Sequence, residues 1–166
     1  MRAAALALAA AILLGGCGYT VGGTLPGHIN TIAVPIFKNH TREPGVESLV
    51  TRAVVEAFST NGRLRVVGTS GADAILDGEI TGYTIVSIAF DQDANVRLYR
   101  LIVTVNLRMR DIKRNEVLFQ QNEVREQADF RVQSAVSQTI SREETALRVA
   151  ATDIGRAIVA LAVTRF

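Results

Sequence analysis

Few side chains in this sequence can do covalent or ligand chemistry. Cys17 is the only cysteine, so no internal disulfide can form and its thiol is available for modification. His28 and His40 stand in loop-like sequence, and neither has a cysteine or carboxylate at metal-ligand spacing. No metal site and no cofactor are expected. Asp73, Asp77 and Glu79 lie close together, yet nothing near them supplies a nucleophile or an orienting group. Gly18, Gly22 and Gly23 precede the first strand and do not join a strand to a helix, so they form no phosphate loop. The expectation is a protein that is not an enzyme. Recognition by cations remains. Lys38 and Lys113 are the only lysines among 18 basic residues, and the planar arginine fork suits phosphate and carboxylate. Arginine-rich coding bias accounts for that skew equally well.

The setting of Cys17 gives its thiol a use. Arg2 is followed by an apolar run from Ala3 to Leu14, then by Gly15 and Gly16. That is a secretory signal, too short to span a bilayer stably. Leu14-Gly15-Gly16-Cys17 resembles the bacterial lipobox, in which the cysteine sulfur receives a diacylglycerol and cleavage leaves it as the first residue. An acylated Cys17 anchors a domain to a membrane, because each buried methylene contributes about 0.8 kcal/mol and several chains together hold stably. Gly18 comes next, where aspartate is associated with inner-membrane retention. The expected location is therefore the outer membrane, lipid-anchored, on the periplasmic side. Residues 1–16 read as lipoprotein signal peptide, 17–30 as a lipidated Gly-rich tether and 31–166 as one α+β domain. Charge is nearly balanced, 18 basic against 16 acidic residues, with no basic block, so nucleic acid is not an expected partner.

The elements that must position any site can be read from periodicity. "TIAVPIF" from Thr31 to Phe37 has strand character, with Pro35 placing that residue at a sheet edge or strand end. Val46, Leu49, Val50, Ala53, Val54, Ala57 and Phe58 recur at helical spacing, and Asn61-Gly62 ends the run. Arg63 to Val67 is a short strand, and a strand–helix–strand crossover allows the two strands to be parallel. From Leu76 to Phe90 and from Tyr99 to Met109 the sequence alternates with period two around the turn Asp91 to Asn95. A third strand is expected through "EVLFQQNEV". Ser141 with Glu144 forms a capping box, and Leu147, Ala150, Ala151, Ile154, Ala157, Ile158 and Leu161 make a helical stripe. The predicted fold is α+β: a two-layer sandwich, with two helices on one face of a mixed, mostly antiparallel sheet of four to five strands around a long central hairpin.

The other face of that sheet is the candidate site. A register fixed at the turn makes strand partners sum to about 187. It sets Asp77 opposite Arg110 and Glu79 opposite Arg108, pairs that contribute roughly 0.2–1 kcal/mol each. Arg100 falls opposite Ser87, with no acid across from it. Ile85 falls opposite Ile102 and Ala89 opposite Leu98, giving an apolar patch near the hairpin tip. Such a patch beside an unpaired arginine marks a contact surface, unless residues 126 to 140 fold over it as a loop.

These residues carry a resemblance. Cys17-Gly18-Tyr19, "LPGHINTIAVPIFKN" from Leu25 to Asn39, "REPGVESLVTRAVVEAF" from Arg42, "ADAILDGEITGY" from Ala72 and "YRLIVTVNLRMRD" from Tyr99 together resemble the LptE family of lipopolysaccharide-assembly outer-membrane lipoproteins. The resemblance implies a lipoprotein that plugs the LptD-type outer-membrane β-barrel, assists its assembly and helps deliver lipopolysaccharide to the outer leaflet. Arg100, Arg108 and Arg110 are then the lipopolysaccharide-contact candidates, and Ile85, Leu98 and Ile102 the partner-contact candidates. The "IAVPIFKN" opening also resembles periplasmic domains of curli-secretion lipoproteins and of penicillin-binding-protein activators. That is a competing reading, as a secretion-channel subunit or an activator of a peptidoglycan synthase.

Overall fold

The computed structural model describes residues 25–132 and 136–164. The chain forms β1 (Thr31–Ala33), β2 (Lys38–Asn39), α1 (Val46–Asn61), β3 (Arg65–Val66), β4 (Ala74–Phe90), β5 (Val96–Asp111), β6 (Glu116–Arg131) and α2 (Val136–Thr164). The strands make one six-stranded sheet in the order β3-β1-β4-β5-β6, with β2 also beside β4. β1 runs parallel to β3 and β4, whereas β4, β5 and β6 are antiparallel neighbours. Both helices pack on one face, and the fold is the expected α+β sandwich with one strand more than foreseen.

The extra strand comes from Pro35. It has no N–H for a ladder and restricts Val34 before it, so "TIAVPIF" cannot run through as one strand. The chain leaves the sheet after Ala33 and returns as β2, two residues long, paired with Glu79 and Ile80. Phe37, just before β2, turns its buried ring onto Gly78, where an added Cβ would lie 2.5 Å from ring carbons. The Phe37 amide donates to Thr51 Oγ1 at 3.0 Å, fixing this break to α1.

α1 buries Val46, Val50, Val54 and Phe58, and stops where Gly62 takes a left-handed φ of 72° and donates its N–H to the Phe58 carbonyl. α2 crosses it closely at Gly155, where an added Cβ would stand 2.7 Å from the Ala53 carbonyl oxygen. α2 buries Leu147, Ala150, Ala151, Ile154 and Ile158, members of the expected stripe, together with Ala146, Val159 and Ala162. Ala157 and Leu161 are only half-buried. Its start differs from expectation. The helix begins at Val136, so Ser141 lies inside it, with its carbonyl accepting from Thr145 Oγ1 at 2.9 Å, and no capping box forms there.

The third strand also runs further than expected, to Arg131. Residues 126 to 131 are therefore ladder, not a loop over the open face. β4, β5 and β6 make a ribbon of 17, 16 and 16 residues whose distal half extends past β1 and β2. α2 covers one side of that extension. Tyr83, Ile85 and Tyr99 pack against the core, Tyr83 donates to Glu143 Oε1 at 2.8 Å, and the Tyr99 and Phe130 rings sit 5.5 Å apart. Burial and the Glu143 carboxylate push the Tyr83 phenol well above its usual range.

At the opposite end, polar contacts fasten the start of the domain. His28 Nε2 meets the buried Asp111 at 2.6 Å. Asp73 accepts from the Asn30 and Thr31 amides at 3.1 Å each, from Thr31 Oγ1 at 2.8 Å and from Lys113 Nζ at 2.9 Å. The Lys113 ammonium, then Thr31 and the Asn30 amide, hold the Asp73 carboxyl far below the usual range. Burial acts to raise the Asp111 carboxyl. The Arg114 amide, His28 and the Lys113 amide outweigh it and set the group below its ordinary value.

Candidate functional site

Two bulges decide which residues reach the open face. Ile80 pairs with Val105 but Gly82 with Thr104, so Thr81 is an extra residue in β4; Ile88 is a second, between the Ser87–Tyr99 and Ala89–Leu98 pairs. Each insertion moves the register by one and, because side chains alternate, exchanges the faces of the strand residues beyond it. The partner sum is 187 at Ala89–Leu98, as read from the turn, and 185 at the base of the hairpin.

The arginine candidates sort differently as a result. Asp77 faces Arg108 across the strands, yet its carboxylate pairs diagonally with Arg110, with Nη2 to Oδ2 at 3.1 Å. Glu79 faces Asn106 and pairs with Lys38 at 3.1 Å, so the expected Glu79–Arg108 pair does not form. Arg108 is exposed and has no ion pair among the described residues. Arg100 faces Val86, where Ser87 was expected, and on its other side Asp129 of β6. It is not the acid-free cation expected from the sequence. Nε and Nη2 meet the two Asp129 oxygens at 2.7 and 2.8 Å, with both side chains about one-third exposed, 34% and 36%. The contact holds Asp129 below its ordinary range and Arg100 above its own.

The apolar candidates divide too. Ile102 is on the open face, opposite Thr84 where Ile85 was expected, and lines a recess of about 450 Å³ with Thr84, Thr104, Arg125 and Gln127. Leu98 faces Ala89 as expected. Ile85 is moved by the Thr81 bulge to face Leu101 and packs, partly buried, against the core and not on the open face where it was expected. Val86 takes a place on the open face instead, beside Arg100. Cys17 lies outside the described residues.

Sequence reasoning missed two cations. Arg131 ends β6, and Arg142 stands on α2; both line a recess of about 760 Å³ with Arg100, Asp129, Phe130 and Val149. Both are exposed and neither has an ion pair among the described residues. The continuing alternation of "REQADFR", Arg125 to Arg131, was the signal for Arg131. Asp73, Asp77 and Glu79 are held by three different cations, Lys113, Arg110 and Lys38, and form no cluster. Among the described residues no group of His, Cys, Asp and Glu could hold a metal ion.

The described residues form a two-layer α+β domain with one helix-covered face and one open face that bears arginines. The chain belongs to the LptE family, described as lipopolysaccharide-assembly, whose model matches residues 29–161. Solved structures share the fold at low identity. A putative lipoprotein from Caulobacter crescentus is 14% identical with a TM-score of 0.55, covering 76% of this chain and 87% of that one. The rare lipoprotein B from Shewanella oneidensis is 14% identical with a TM-score of 0.52, covering 76% and 90%. A PelC dodecamer from Paraburkholderia phytofirmans is 16% identical with a TM-score of 0.51, covering 86% and 93%. No curated protein matches the sequence.

Proposed function

We propose that this chain is an outer-membrane lipoprotein, anchored through acylated Cys17 on the periplasmic side. It plugs an LptD-type β-barrel, supports the assembly of that barrel and assists delivery of lipopolysaccharide to the outer leaflet. The observation that carries the reading is the sidedness of the long ribbon. Both helices cover one face, and the other presents Val86, Leu98, Ile102 and Arg108, which has no ion pair among the described residues. Family membership supports the same reading. Arginines without acid partners suit the phosphates of lipopolysaccharide, and Arg108, Arg131 and Arg142 meet that condition among the described residues. Arg100 and Arg110, each held by an aspartate, are weaker contacts. Near-zero net charge places the emphasis on barrel docking over general lipopolysaccharide binding. We assign the chain no catalytic step.

Pull-down of the full chain after mild detergent extraction tests this. A large outer-membrane barrel is the expected companion. Recovery of a peptidoglycan synthase, or of a homo-oligomeric ring without a barrel, overturns the reading.

A further inference from the structure

The chain enters the described domain at the end that holds Asp73 and Asp111. The start of the domain, the β5–β6 turn and β3 meet there. His28 binds Asp111, the Ile112 amide donates to the Asp73 carbonyl at 2.9 Å, and the Arg65 amide donates to the Asn30 carbonyl at 3.0 Å. Cys17 is eight residues before Leu25, the first described position. Eight residues reach at most about 28 Å. An acylated Cys17 therefore holds the start of the domain within that distance of the leaflet that holds the acyl chains.

What this end displays matches a headgroup layer. Ile112 is 41% exposed at the tip of the β5–β6 turn. Arg63 and Arg65 at the start of β3 and Arg114 in the β5–β6 turn are exposed and have no ion pair among the described residues. Asp73 is taken by Lys113 and Thr31 and Asp111 is buried on His28, while Glu116 stands exposed. Exposed cations around a protruding apolar side chain fit the phosphates and acyl boundary of a bilayer.

We infer that, in the anchored chain before it engages a barrel, this surface docks on anionic phosphoglycerolipid headgroups, with Ile112 entering the interface and Arg63, Arg65 and Arg114 on phosphates. The inference rests on the lipid anchor proposed above. Docking at this end leaves the distal half of the ribbon clear of lipid and free to meet a partner.

The test uses full-length acylated protein in vesicles of phosphatidylethanolamine and phosphatidylglycerol. A fluorophore is placed at Ile112→Cys or, at the hairpin tip, Asp93→Cys, with nitroxide on the lipid headgroups. The label at 112 is expected to be quenched several-fold more than the label at 93. Charge reversal of Arg63, Arg65 and Arg114 to Glu is expected to abolish the difference, because each arginine beside an anionic surface strengthens contact roughly fivefold. Equal quenching at the two positions, or no response to charge reversal, overturns the docking. Protein that floats with vesicles while 112 stays unquenched overturns the docking alone. Protein that fails to float, with Cys17 unmodified by mass spectrometry, overturns the anchor and the docking together.

Discussion

Arg100 and Asp129 face each other across β5 and β6 and join twice, through Nε at 2.7 Å and Nη2 at 2.8 Å. The guanidinium fork is thereby occupied by a carboxylate of its own chain. Arg108, further along β5, has no such partner among the described residues.

This contrast predicts an order of lipopolysaccharide contact. Photo-crosslinking from position 108 is expected to exceed that from 100 and 110 several-fold, and Arg108→Glu is expected to reduce surface delivery more than Arg100→Glu. Asp129→Asn, which releases Arg100, is expected to raise crosslinking at 100. Equal yields at all three positions contradict the ordering.

The Thr81 bulge predicts opposite behaviour for two isoleucines that the turn register made partners. Ile85→Asp places a carboxylate against the core and is expected to cost about 1–3 kcal/mol of stability. Ile102→Asp stands on the open face and is expected to change stability by no more than about 0.5 kcal/mol, while weakening barrel capture. Urea unfolding and pull-down of both variants separate the two effects.

At the helix crossing, Gly155→Ala improves helix propensity by about 1 kcal/mol. It also sets a methyl group against a backbone carbonyl that cannot step aside, and overpacking of that kind costs about 1–3 kcal/mol. The expected outcome is net destabilisation of roughly 1 kcal/mol, read as a lower urea midpoint at unchanged slope.

Acid should loosen the end of the domain fastened by Asp73 and Asp111. Both carboxyls lie below their unfolded values in the folded protein. Their contribution is therefore present above the ordinary carboxylate range near pH 4 and is lost as pH falls through the lower folded values. Asp73→Asn and Asp111→Asn are expected to lower stability at pH 7 and to flatten its fall below about pH 4, measured by urea unfolding across that range.

Much of this was legible in the residues. α1 was readable from its apolar spacing and Gly62, the hairpin from alternation around Asp91 to Asn95, and the helix-covered face from the parity of Leu101, Val103, Val105 and Leu107. The register was not, because a bulge leaves little trace in composition; Gly82 beside Thr81 was the one hint. That error moved Ile85 to the wrong face and gave Arg108 an acid partner that it lacks among the described residues. The end of β6 was hidden by polar residues on an edge strand, and with it the acid that claims Arg100. Ser141 and Glu144 satisfied a capping pattern within a helix already under way, since a short motif carries no information about what precedes it.

The inserted Thr81 acts as a half-period phase step written into one strand. Any relative lacking it must be aligned with a one-residue gap at that point. Without the gap, every surface position from Tyr83 to Ser87 is compared with a core position, and substitutions that preserve the fold look like exchanges of function. Deleting Thr81 from this chain would close the bulge and leave Thr84 and Val86 on the open face and Ile85 toward the core, with the same partners across β5.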